Sequence, residues 1–154
     1  MKKVVSLILF FVSSFPLLAQ NSTEHLNIDK TKIAVEGYDV VAYFKDNMAV
    51  KGNKNFIAVD NGVTYYFSSQ NHKNAFTKNS ALYKPQYGGW CAYAVGKTGE
   101  KVEIDPKTFK VIDNKLYLFY NKFLTNTLKL WNKEEATLLT NAEKNWKIIT
   151  KNKS

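Results

Sequence analysis

From residue 34 onward, apolar and polar positions alternate in short blocks that read as a small folded unit. Val40 and Phe44 recur at helical spacing behind Asp39, a residue type whose carboxylate caps free amides, so one or two helical turns are predicted to start at Asp39. Residues 55–60 and 63–67 are β-type runs separated by Asp60-Asn61-Gly62, a sequence that accepts the positive φ angles of a tight hairpin. Ser68 and Ser69 offer caps for a helix running through Phe76, with Phe76 on one face and Lys73 and Asn74 on the other. An irregular link over 81–86, held by Pro85, leads into a Gly88-Gly89 turn and a predicted helix from about Trp90 to Val95.

Beyond Gly96 the pattern predicts strands at 101–104, 109–112 and 116–119, joined by turns at Asp105-Pro106 and Asp113-Asn114. A short helix is predicted over 121–131. A longer one follows behind a capping box of Asn132 and Glu135, with Ala136, Leu139, Ala142, Trp146 and Ile149 near a 3.6-residue period. No repeat, low-complexity segment or second-domain linker is evident in this pattern. The expected class is α+β: a small antiparallel sheet with a hairpin, several short helices and a C-terminal helix, all within residues 34–150. Residues 21–33 form a polar leader without periodicity, expected to order on contact with the domain.

The first twenty residues change the picture, because two lysines, an apolar run to about Leu18 and the small Ala19 make a secretory signal peptide with cleavage near Ala19 or Gln20. A retained anchor fits less well: Ser13, Ser14 and Pro16 interrupt the run, which falls short of the roughly 20 residues a span needs. The expected location is periplasmic or secreted, with no membrane-spanning segment after cleavage. That is an oxidising compartment, yet the chain of 154 residues has one cysteine, which cannot pair internally. The formal charge is +9, and every one of the 22 basic side chains is lysine. Without arginine forks, nucleic-acid recognition is not expected. Attraction to an anionic membrane surface or envelope stays open.

Candidate chemistry centres on Tyr87-Gly88-Gly89-Trp90-Cys91-Ala92-Tyr93, where the thiol follows two glycines and lies between aromatic rings. At the first turn of a helix, amides and the helix dipole favour a thiolate; an apolar enclosure by Trp90 and Tyr93 makes the same thiol an inert core residue. No nucleophile elbow, phosphate loop, dinucleotide fingerprint or zinc-protease helix is present, so turnover is not expected. The two histidines are His25, in the leader, and His72, which shares a helix face with Ser68. Cys91 with His72 makes half a site for copper or zinc, and Asp39, Asp105 or a tyrosine has to complete it.

The order of these blocks resembles the YHS domain family, specifically exported single-domain bacterial members. The resemblance rests on Gly37-Tyr38-Asp39, Val41-Ala42-Tyr43-Phe44, Tyr66-Phe67-Ser68-Ser69 with Phe76, the block from Tyr83 to Ala92, Asp105-Pro106, and Lys115-Leu116-Tyr117-Leu118. YHS domains occur in metal-handling proteins, where two cysteines are thought to bind metal; here those positions hold Ser68 and His72, so that site does not transfer intact. The leading expectation is a metal-binding module, copper first, using Cys91 with His72 and Asp39. The others are a thiol redox protein built on Cys91 and a non-catalytic domain whose aromatics, among them Tyr38, Tyr43, Tyr87, Trp90, Tyr93 and Tyr117, line a small-molecule or protein-binding surface. A monomer is expected if those rings shield the sulfur.

Overall fold

A computed structural model describes residues 23–151, so the expected signal peptide lies outside the described residues. The fold is α+β, as the pattern predicts. Its elements are α1 (Ala42–Lys45), β1 (Asn53–Asp60), β2 (Val63–Phe67), α2 (Gln70–Lys78), α3 (Ala92–Lys97), β3 (Asp105–Ile112), β4 (Lys115–Phe119), β5 (Asn121–Lys122), β6 (Thr125–Asn126), α4 (Thr127–Trp131) and α5 (Glu135–Lys151). In place of one sheet there are three two-stranded antiparallel ones, β1-β2, β3-β4 and β5-β6.

β4 explains how these pieces form one body. Leu116 and Leu118 face a first core with Val40, Val41, Phe67 and Phe76, whereas Tyr117 and Phe119 face a second core with Trp131, Leu138 and Ala142. Alternate side chains of a strand point to opposite faces, and here both faces are covered, which is why the strand reads as a continuous apolar run. α5 closes the second core by crossing α3 closely at Gly96, where an added Cβ would lie 2.6 Å from the Leu138 carbonyl oxygen. Asn145 Nδ2 donates to the Val95 carbonyl at 2.8 Å across the same crossing.

Contrary to the reading of the residue pattern, the chain contains an internal structural repeat. β1 starts at Asn53 and β3 at Asp105, while β2 starts at Val63 and β4 at Lys115, a constant separation of 52 positions. Both hairpins carry their register irregularity at the matching place, between Asn53 and Ile57 and between Asp105 and Phe109. Ahead of each, a left-handed turn runs through Val35, Glu36 and Gly37 (φ 46, 51 and 78°) and through Tyr87, Gly88 and Gly89 (φ 52, 62 and 85°). The Asp39 amide donates to the Val50 carbonyl and the Cys91 amide to the Val102 carbonyl, both at 2.9 Å. Asp39 and Cys91 therefore occupy the same position in the two halves.

Three local expectations are corrected. Residues 101–104 are not a strand, because Val102 is taken by the Cys91 amide as the loop enters β3. Residues 121–126 form the hairpin β5-β6 rather than helix, and only Thr127–Trp131 is helical. The Asn132–Glu135 capping box does not form: Asn132 Oδ1 accepts from Lys110 Nζ, and Glu135 Oε2 accepts from Trp131 Nε1 at 3.0 Å and pairs with Lys110. Described residues of the leader bond to the domain. Trp90 Nε1 donates to the His25 carbonyl at 2.8 Å, and the Asn27 amide donates to the Gly88 carbonyl at 2.8 Å.

Candidate functional site

Asp39 sits at the base of α1, fully buried, and is bonded on both oxygens. Oδ1 accepts from the Val41 and Ala42 amides at 2.9 and 3.3 Å; Oδ2 accepts from the Ser68 amide at 2.8 Å and the Ser68 hydroxyl at 2.7 Å. His72 Nδ1 approaches the same Oδ2 at 2.7 Å, and His72 Nε2 lies 3.8 Å from Asp46 Oδ2. Ser69 caps α2 through the His72 amide at 3.2 Å, which fixes the turn that presents His72 to Asp39.

Serine, histidine and aspartate therefore meet, but not as nucleophilic machinery. Ser68 Oγ and Asp39 Oδ2 address the same ring nitrogen, at 3.3 and 2.7 Å, whereas a base must face the hydroxyl with one nitrogen and its orienting carboxylate with the other. The Ser68 proton is already given to Asp39.

Cys91 is also fully buried. Its Sγ accepts from the Tyr120 amide at 3.4 Å, the counterpart of the Ser68 amide on Asp39, and lies 3.4 Å from Thr127 Oγ1. Thr127 spends its one proton on the Tyr120 carbonyl at 2.8 Å, so the thiol proton points to Thr127. Cys91 precedes α3 as its N-cap, yet its side chain makes no cap bond there. The sulfur has no exposed surface and belongs to the first core.

Of the expected metal ligands, Asp39 and His72 come together, while Cys91 occupies the matching position in the other half. Among the described residues no hydrogen bond or ion pair joins Cys91 to His72, and no three or more His, Cys, Asp or Glu side chains form a group that could hold a metal ion. Asp105 is engaged in its own turn, accepting from the Lys107 amide at 3.0 Å and Thr108 Oγ1 at 3.1 Å. Trp90 braces the leader through His25, and Tyr93 is half-buried beside the small recess over Cys91.

Tyr87, Gly88 and Gly89 lead to a larger feature that the residue pattern does not reveal. A cleft of about 590 Å³ lies between the two left-handed turns, roofed by Leu26–Ile28 of the leader. Val35, Val63, Tyr65, Pro85 and Ile104 give it apolar walls, with Tyr87 and Trp146 adding aromatic faces. Its charged groups are Glu36, Asp60, Glu143 and Lys84, three carboxylates against one lysine in a chain of the opposite overall sign. Lys84 Nζ lies 2.8 Å from Asp60 Oδ2, and Lys84 and Ser80 together hold the Asp60 carboxyl below its usual range. The Tyr87 hydroxyl donates to Glu143 Oε1 at 3.3 Å, and burial first, then Glu143, push that phenol far up. Glu36, Asp60, Lys84, Glu143 and Trp146 are 110 positions apart at the extremes and follow no motif spacing.

No family model matches the chain, and comparison with curated proteins and with solved structures finds no match either. Among the described residues, no helix is long and apolar enough to cross a membrane.

Proposed function

We propose that the protein is an exported YHS-type binding module, periplasmic or secreted, that holds a small organic ligand with a cationic or hydrogen-bond-donating group and turns nothing over. The cleft between the repeats carries this reading. Its volume falls in the range of small-molecule sites, and it has the usual make-up of apolar walls with a few placed polar groups. Lys84 neutralises Asp60, which leaves Glu36 and Glu143 to meet a cation, with the Trp146 and Tyr87 rings beside them for cation–π contact. Copper or zinc on Cys91 draws no support from ligand convergence, and a redox role draws none from a sulfur with no exposed surface.

The test is calorimetric titration with a panel of aromatic and quaternary amines, their carboxylate analogues, copper and zinc. Amine binding that weakens about tenfold or more in Glu143→Gln and Trp146→Ala is expected. Preference for the carboxylates, or stoichiometric metal lost in Cys91→Ser, overturns the reading.

A further inference from the structure

The hairpin β5-β6 does not belong to the repeat. In the first half α2 starts at Gln70, three positions after β2 ends; in the second half Asn121–Asn126 intervene before α4 starts at Thr127. Asn121 pairs with Asn126 and Lys122 with Thr125, which leaves Phe123 and Leu124 as a two-residue turn with φ of 49 and 66°. Such turns require positive φ at both positions and favour asparagine and glycine. The other two hairpins obey this, with Asn61-Gly62 and Asp113-Asn114 at the same φ signs. Here the two positions carry bulky apolar side chains, in a backbone conformation such residues rarely adopt. Neither side chain serves the core: Phe123 is 90% exposed and Leu124 fully so.

A tip of two side chains is far smaller than the roughly 800 Å² per partner that a specific protein interface needs. It does suit a lipid surface, which takes apolar side chains at headgroup depth and adds attraction between lysines and anionic lipids. The lysines are in place. Lys122 stands at the base of the tip, with Glu103 only loosely opposite it at 3.9 Å; Lys129 is exposed on α4; Lys107 is exposed on β3, whose Thr108 accepts from Asn121 Nδ2 at 3.0 Å. We propose that Phe123 and Leu124 insert into the headgroup region of an anionic bilayer and hold the protein peripherally on it, with Lys122 and its neighbours against the lipid phosphates. This does not depend on what the cleft binds.

The natural turn pair supplies the test, because Phe123→Asn with Leu124→Gly removes the apolar tip while relieving the backbone. Protein recovered from cells carrying the full gene, wild type and double variant alike, is sedimented with vesicles of phosphatidylglycerol and phosphatidylcholine and of phosphatidylcholine alone. The wild type is expected to partition onto the anionic vesicles, less at high salt, and the variant to lose about tenfold or more of that partitioning while melting at or above the wild-type temperature. A Phe123→Trp variant is expected to gain a tryptophan signal quenched by brominated lipid. Equal partitioning of wild type and double variant, or no partitioning of the wild type, overturns the proposal. So does a tip-dependent self-association in the absence of lipid.

Discussion

Asp39→Ala is the substitution with the largest consequence that the structure allows to be worked out. Five groups converge on its two oxygens. Three can adapt: the Ala42 amide also reaches the Asp39 backbone carbonyl at 3.2 Å, the Ser68 hydroxyl can turn to His72, and His72 retains Asp46 on its other nitrogen. The Val41 and Ser68 amides have no such recourse in the described contacts, and each buried orphan costs about 1–3 kcal/mol. Together the two orphans give about 2–6 kcal/mol. For a domain of this size that is a fall in Tm of several degrees or more by calorimetry or far-ultraviolet circular dichroism. Cys91→Ala, at the matching position, orphans only the Tyr120 amide from a weak sulfur acceptor and opens a small void, so about 1–2 kcal/mol is expected. Asp39→Asn falls between them, because its amide would face the Ser68 amide donor to donor. A loss under about 1 kcal/mol for Asp39→Ala, or one no larger than that for Cys91→Ala, refutes the reasoning.

Three further outcomes are expected. Gly88→Ala places a Cβ 2.4 Å from the His25 carbonyl at a φ of +62°, so it should lower Tm and expose the leader to limited proteolysis; Gly89→Ala, with its nearest outside atom at 3.5 Å, should cost only the strain of its own φ, about 1 kcal/mol. The Cys91 thiol should react with a disulfide reagent at the rate of global opening, accelerating in denaturant, and fast reaction of native protein would contradict the enclosure described above. Burial raises Tyr43, Tyr87 and Tyr117 and pushes Tyr65 up to about 12, so ultraviolet titration of native protein at pH 11 should leave at least Tyr43, Tyr65 and Tyr87 neutral. Since these phenols hold their protons more tightly when folded, stability is intact below pH 10 and is lost as pH rises above it.

What the residue pattern reveals depends on whether local chemistry and tertiary structure agree. Asp60-Asn61-Gly62 announces its hairpin because asparagine and glycine take the φ values of 49 and 78° found there. Ser69 and the amphipathic run ending α5 are legible for the same reason: cap and stripe are local devices. Phe123-Leu124 adopts the same kind of turn with residues that signal none, so a helix is predicted where a hairpin stands. The repeat is hidden because few residues that match across 52 positions are identical, Gly37 and Gly89, Tyr65 and Tyr117, and Phe67 and Phe119 among them, while Asp39 matches Cys91. The meeting of Asp39 and His72 is nonlocal, 33 positions apart, and the cleft draws on the leader, both halves and α5.

The repeat also alters what the cysteine means. Its sulfur receives the amide that follows β4, as the Asp39 carboxylate receives the amide that follows β2, so the thiol occupies a structural socket that both halves need filled. A carboxylate fills that socket with strong acceptors and recruits His72; a thiol accepts weakly, and Thr127 from α4 completes the contact. An unpaired cysteine is then accounted for as a sealed framework residue, without any appeal to metal or redox chemistry. Features set by the shared framework recur at the 52-position spacing, as the bulged hairpins and left-handed turns do. Those that break it, His72 on α2 and the apolar tip before α4, need another cause, and the cleft owes its acidic lining in part to Glu36, which matches Gly88 in the other half, and to Glu143 of α5, outside the repeat. A function particular to this chain is therefore to be sought in the departures from the repeat, and Cys91, despite being the most conspicuous residue in the sequence, belongs to the framework.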